Sequence, residues 1–132
     1  MWAKTWMRGV AVWYVLQMLL AAPPFLRALA HSLYPGWQAA PGSIETHAFA
    51  DLGFLLGLFH GVVGCVLFLG SKNPLGNRIL FVLVLFLELF CGVAWNIYSL
   101  FSGEASPIIG YFFIAIHLAI IAATLFAWPR EK

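Results

Sequence analysis

Four long apolar runs, separated by short polar interruptions, dominate the chain, covering approximately residues 5–22, 49–69, 78–100 and 107–127. A helix needs about 20 apolar residues to cross a hydrocarbon layer about 30 Å thick, and each run meets or approaches that length. Pro23 and Pro24 stop the first run, because proline has no N–H to continue a helical ladder. "GSKNPLGN" makes a tight polar turn between the second and third runs, and Pro107 suits the first turn of the fourth. None of the runs shows the period-two alternation of a β-barrel strand. The pattern predicts an all-α, four-transmembrane-helix antiparallel bundle in a single domain spanning residues 1–132. In the one long connection, residues 23–48, "FLRALAHSLY" sets Phe25, Leu26, Leu29 and Leu33 against polar Arg27, His31 and Ser32, which predicts a short interfacial helix between spans one and two. This connection serves either as a membrane-lying link or as a lid over the spans.

Composition sharpens the class. Of 132 residues, 63% are hydrophobic and 9% charged, against about 25% charged in a soluble domain. The net charge of +2 is small and dispersed, and no phosphate-binding loop or basic stripe is present, so a nucleic-acid partner is set aside. Lys4 and Arg8 ahead of an apolar run ending in Ala21 and Ala22 also resemble a secretory signal, but the run is read as a retained span. Lys4, Arg8, Lys72, Arg78, Arg130 and Lys132 fall on one side of the bundle and Arg27 on the other, where Glu45, Asp51 and Glu104 also lie, which predicts cytoplasmic termini. Trp6, Trp37, Trp95, Tyr98, Tyr111 and Trp128 fall near span ends, where amphipathic rings favour the headgroup layer. Cys65 and Cys91 differ in height by roughly 13 Å at 1.5 Å per residue, too far for a disulfide, and are expected as small core residues.

Candidate chemistry sits at mid-depth. Gly53, Gly57, Gly61 and Gly64 form a small-residue series that lets a helix of this chain, or of another subunit, approach closely. His60 shares that face; Leu85, Glu88, Gly92 and Trp95 form a stripe on the third span, and Gly110, Ile114, His117, Ile121 and Thr124 form one on the fourth. Gln17, His60, Glu88 and His117 fall within roughly 5 Å of one height along the membrane normal. A charged carboxylate is costly there, so Glu88 is expected to face the bundle interior, protonated or paired, with His60 and His117 as the available partners. Such a cluster can fix helix register, relay protons or hold a lipid-soluble molecule. Two further options are a haem between His60 and His117, or a metal held by His60, Glu88 and His117. No serine has a nucleophile elbow or an adjacent base, so a catalytic role is not expected.

The stretches "WMRGVAVWYVLQ" (6–17), "LELFCGVAWNIY" (87–98) and "FFIAIHLAII" (112–121) resemble the BphX-like family of small bacterial integral membrane proteins. Arg8, Gln17, Glu88, Asn96 and His117 are polar positions within these stretches; His60 and residues 23–48 lie outside them. The resemblance implies a bacterial inner-membrane location near hydrophobic-substrate metabolism. The leading expectation is a non-catalytic accessory subunit that contacts other integral membrane subunits and the lipid bilayer and holds a lipid or quinone-like molecule. A stand-alone binder or carrier of small hydrophobic compounds is the alternative, and a haem or metal redox protein a third.

Overall fold

The computed structural model describes residues 2–40, 42–103 and 106–129. Glu104, Arg130 and Lys132, which enter the charge argument, lie outside the described residues, as does the side chain of His31. The described chain is helical: α1 (Trp2–Leu20), α2 (Pro23–Leu33), α3 (Ile44–Gly70), α4 (Arg78–Phe86), a π-helical segment (Leu87–Ala94), α5 (Trp95–Phe101) and α6 (Pro107–Phe126). The segments from α4 through α5 form one continuous helix of 24 residues. This helix, α3 and α6 are long and apolar enough to cross a membrane, and α1 with α2 makes a fourth crossing if that pair, bent by 73°, counts as one span.

The prolines explain the bend. The α1 ladder ends at Leu20, and Pro23 and Pro24 open α2, where missing N–H groups cost least. The short helix expected between the first two long helices is therefore present as α2. Helix α3 begins at Ile44, before the apolar run that announces it, because Ser43 caps it: its Oγ accepts from the Thr46 N–H at 3.3 Å. The long connection shrinks accordingly to a loop between Leu33 and Ile44. The Ser106 N–H donates to the Leu33 carbonyl at 3.1 Å, tying this loop to the start of α6.

The glycine series lies against this chain's own helices. A Cβ on Gly53 would meet Leu26 of α2; on Gly57, Ala21; on Gly61, Met18; and on Gly64, the Ala11 carbonyl oxygen at 2.9 Å. Without side chains at these positions, α1 and α2 approach α3 closely enough for dispersion to hold them, as helix association in lipid requires.

The core gathers one face of α1 (Trp6, Met7, Val10, Ala11, Tyr14) against Val63 and Leu67 of α3 and Leu80, Phe81 and Val84 of α4. Trp6 departs from its expected interfacial position: it is buried and stacked on Phe81 at 4.5 Å. Cys65 and Cys91 depart too, for both are free and exposed instead of in the core, while Gly64 and Gly92 beside them are buried. Trp2 meets Phe126 edge-to-face at 5.9 Å, so the start of α1 and the end of α6 lie together.

A methyl group at Gly64 presses on backbone that cannot rotate away. Gly64→Ala is expected to cost about 1–3 kcal/mol, read as a lowered thermal unfolding midpoint in detergent. Gly9→Ala, with no neighbour within 4 Å of the added carbon, is expected to lose nothing in the same assay.

Candidate functional site

Glu88 is buried, 1% exposed, on the π-helical segment. The Tyr14 hydroxyl of α1 donates to its Oε1 at 2.7 Å, and His117 Nδ1 of α6 lies 2.6 Å from its Oε2. One carboxyl thus joins three helices. Both oxygens are satisfied, as a buried polar group requires. No Lys or Arg among the described residues bonds to Glu88.

Local backbone geometry makes this junction. The π-helical turns from Leu87 to Ala94 are wider than α-helical ones, and such segments recur at functional sites. They break the regular stripe expected on the third span: Glu88 and Gly92 stay inward, whereas Trp95 turns half outward. The Asn96 amide donates to the Gly92 carbonyl at 2.8 Å, satisfying backbone in the loosened region. Gly92 is required by close approach, since a Cβ there would stand 2.5 Å from the His117 ring.

The expected cluster is only partly assembled. Glu88 and His117 bond directly, but His60 does not reach Glu88. Its Nδ1 lies 2.8 Å from the Leu56 carbonyl one turn back, and that local bond occupies the ring. It meets the cluster through Tyr14, whose ring it contacts edge-to-face at a centroid distance of 5.4 Å. Tyr14 is the member that residue-by-residue reading missed, because it sits in an apolar stripe and passes for packing. A signal was present: a buried phenol needs an acceptor, and Glu88 is the one carboxylate at its height.

Gln17, His60 and His117 meet around a cavity of about 260 Å³, open on one side, between α1, α3, the third long helix and α6. Asn96 and Ser99 add polar groups, while Trp95, Phe113 and Tyr34 add aromatic walls. Leu33 and Tyr34 bring the end of α2 to the same cavity, so the connection expected as link or lid supplies part of its wall. Ser99 is 2% exposed, and its Oγ has no hydrogen-bond partner among the described residues.

The donor set does not fit the metal expectation. Among the described residues no three His, Cys, Asp or Glu side chains converge as a ligand group: His60 is held apart from the bonded Glu88–His117 pair, against the Tyr14 ring and on its own bond to the Leu56 carbonyl. A haem between His60 and His117 does not fit either. The space is smaller than the roughly 300–1,000 Å³ of pockets that hold even drug-sized ligands.

Fold and site define a polytopic helical membrane protein with a buried carboxyl–imidazole pair beside an intramembrane cavity. The chain belongs to the BphX-like family, whose model matches residues 1–132. It is 25% identical over 126 residues to an uncharacterized BphX-like protein of Burkholderia cepacia, covering 96% of this chain and 90% of that one. A BphX-like protein of Paraburkholderia xenovorans (strain LB400) matches with the same identity and coverage. No solved structure matches.

Removing the Tyr14 hydroxyl leaves Glu88 Oε1 buried without a donor. Tyr14→Phe is expected to cost about 1–3 kcal/mol of stability, measured by thermal or denaturant unfolding in detergent. Gly92→Ala displaces the His117 ring and is expected to destabilise the protein further, since it disturbs the Glu88–His117 hydrogen bond as well as the packing.

Proposed function

We propose that the protein is a non-catalytic membrane subunit that holds a small, largely hydrophobic molecule with one polar end between its helices. The observation that carries this reading is the cavity with a polar wall that its own residues leave unsatisfied: the Ser99 hydroxyl is buried there without a partner. Unpaired buried polar groups cost free energy, and a bound molecule with a polar end relieves that cost. About 150 Å³ suffices for benzene in an apolar cavity, so 260 Å³ suits one substituted ring whose tail leaves through the open side toward lipid. A quinone-like lipid has that shape.

The surroundings support a membrane role. Most large apolar side chains on α3, the third long helix and α6 face outward, where acyl chains or neighbouring subunits cover them. The relatives are bacterial, and Lys4, Lys72 and Arg78 cluster toward one end of the bundle; both favour a bacterial inner membrane with cytoplasmic termini. A stand-alone carrier would use the same cavity; an accessory subunit is distinguished by a stoichiometric partner in mild detergent.

Ser99→Leu fills the cavity and sacrifices no side-chain hydrogen bond. Protein extracted in native-lipid particles is expected to carry a ring-bearing hydrophobic molecule detectable by mass spectrometry, and the Ser99→Leu protein to be folded and depleted of it by at least about tenfold. Equal content in both proteins, or no bound molecule other than bulk phospholipid in either, contradicts the proposal.

A further inference from the structure

The hydrogen-bond polarity of the cavity narrows what it holds. Glu88 and His117 lie in an apolar interior with no bonded Lys or Arg among the described residues, so an uncompensated charge on the pair would be costly. A neutral pair carries two hydrogens among the carboxyl and the two imidazole nitrogens. Tyr14 decides where they go. Its hydroxyl has no other acceptor, so its hydrogen points to Glu88 Oε1, and any acid hydrogen sits on Oε2 facing His117 Nδ1. Whether that shared hydrogen lies nearer oxygen or nitrogen, the second one is on His117 Nε2.

His117 lines the cavity, and its Nε2 has no partner among the described residues. His117 therefore presents a hydrogen-bond donor. His60 has the opposite sense: the Leu56 carbonyl can only accept, so the hydrogen is on Nδ1 and the neutral ring keeps a lone pair on Nε2. Ser99 can donate or accept. Trp95 and Phe113 supply flat apolar walls.

We infer that the cavity takes a hydrophobic ring compound through a carbonyl-type oxygen, which accepts a hydrogen bond from His117 Nε2–H while Glu88 and Tyr14 act as positioning residues. This rests on the ligand-holding reading above and deepens it by assigning a ligand class and an anchoring atom. The same geometry ranks plain hydrocarbons below ring ketones, because they offer His117 no acceptor; a phenol would instead donate to His60 Nε2, so a preference for it would move the anchor away from His117.

Three probes of similar size test it on the full-length protein in lipid nanodiscs: 4′-fluoroacetophenone, 1-ethyl-4-fluorobenzene and 4-fluorophenol, followed by fluorine NMR titration. The ketone is expected to bind about tenfold more tightly than the hydrocarbon. His117→Phe, which keeps a flat ring, is expected to abolish that preference. Glu88→Gln is expected to preserve it, because the amide oxygen still accepts from Tyr14 and the amide NH₂ still donates to Nδ1, which leaves the hydrogen on Nε2. The infrared carbonyl stretch of bound ketone should move to lower frequency in the wild-type and Glu88→Gln proteins, a readout that holds even if His117→Phe fails to fold. Equal binding of ketone and hydrocarbon, a preference for the phenol, or an unshifted carbonyl stretch overturns the assigned ligand class while leaving the ligand-holding reading in place. Failure of all three probes to bind overturns both.

Discussion

A carboxyl group in an apolar interior is tolerable only if its oxygens are satisfied, and that constraint organises the bundle. Glu88 meets it with one hydroxyl from α1 and one imidazole from α6. Apolar contacts between helices in lipid are weakly directional, because acyl chains compete with side chains on nearly equal terms. The Glu88 junction is directional: a helix rotated by one residue would strand an acceptor or donor. It thereby fixes which face of α1 and of α6 turns inward, and the cavity beside it inherits that register.

Two sets of glycines make the junction reachable. The α3 series brings α1 close enough for the Tyr14 ring to contact His60 while its hydroxyl reaches Glu88. Gly92, on the π-helical segment that also carries Glu88, clears room for the His117 ring. The wide turns there keep Glu88 and Gly92 facing α6 over a stretch where a regular helix would have turned Trp95 inward as well. Such a π segment sacrifices regular backbone bonding, and its position at the only buried carboxylate among the described residues ties local irregularity to the site.

Much of the architecture was legible in the apolar pattern. The long helices, the α1–α2 break at Pro23–Pro24, the glycine face and the inward position of Glu88 and His117 all follow from period, length and the cost of charge in hydrocarbon. What escaped has specific causes. The early start of α3 depends on the Ser43 cap, which lies in a polar stretch that reads as loop. Height alone places Trp6 at the interface and does not reveal that Phe81 stacks on it. Height also pairs His60 with Glu88, but its local bond to Leu56 depends on rotamer, which spacing does not encode. Tyr14 is not legible in the pattern, because an aromatic in an apolar stripe is indistinguishable from packing until its hydroxyl has a partner.

The most direct test of the Glu88 junction is solid-state NMR on the protein in lipid bilayers, with carbon-13 at the Glu88 carboxyl and nitrogen-15 in the His117 ring. The expected result is dipolar coupling that places Nδ1 at hydrogen-bond range of the carboxyl, together with a directly attached hydrogen on Nε2. A folded protein in which no coupling joins the two side chains, or in which Nε2 lacks a hydrogen, would contradict it.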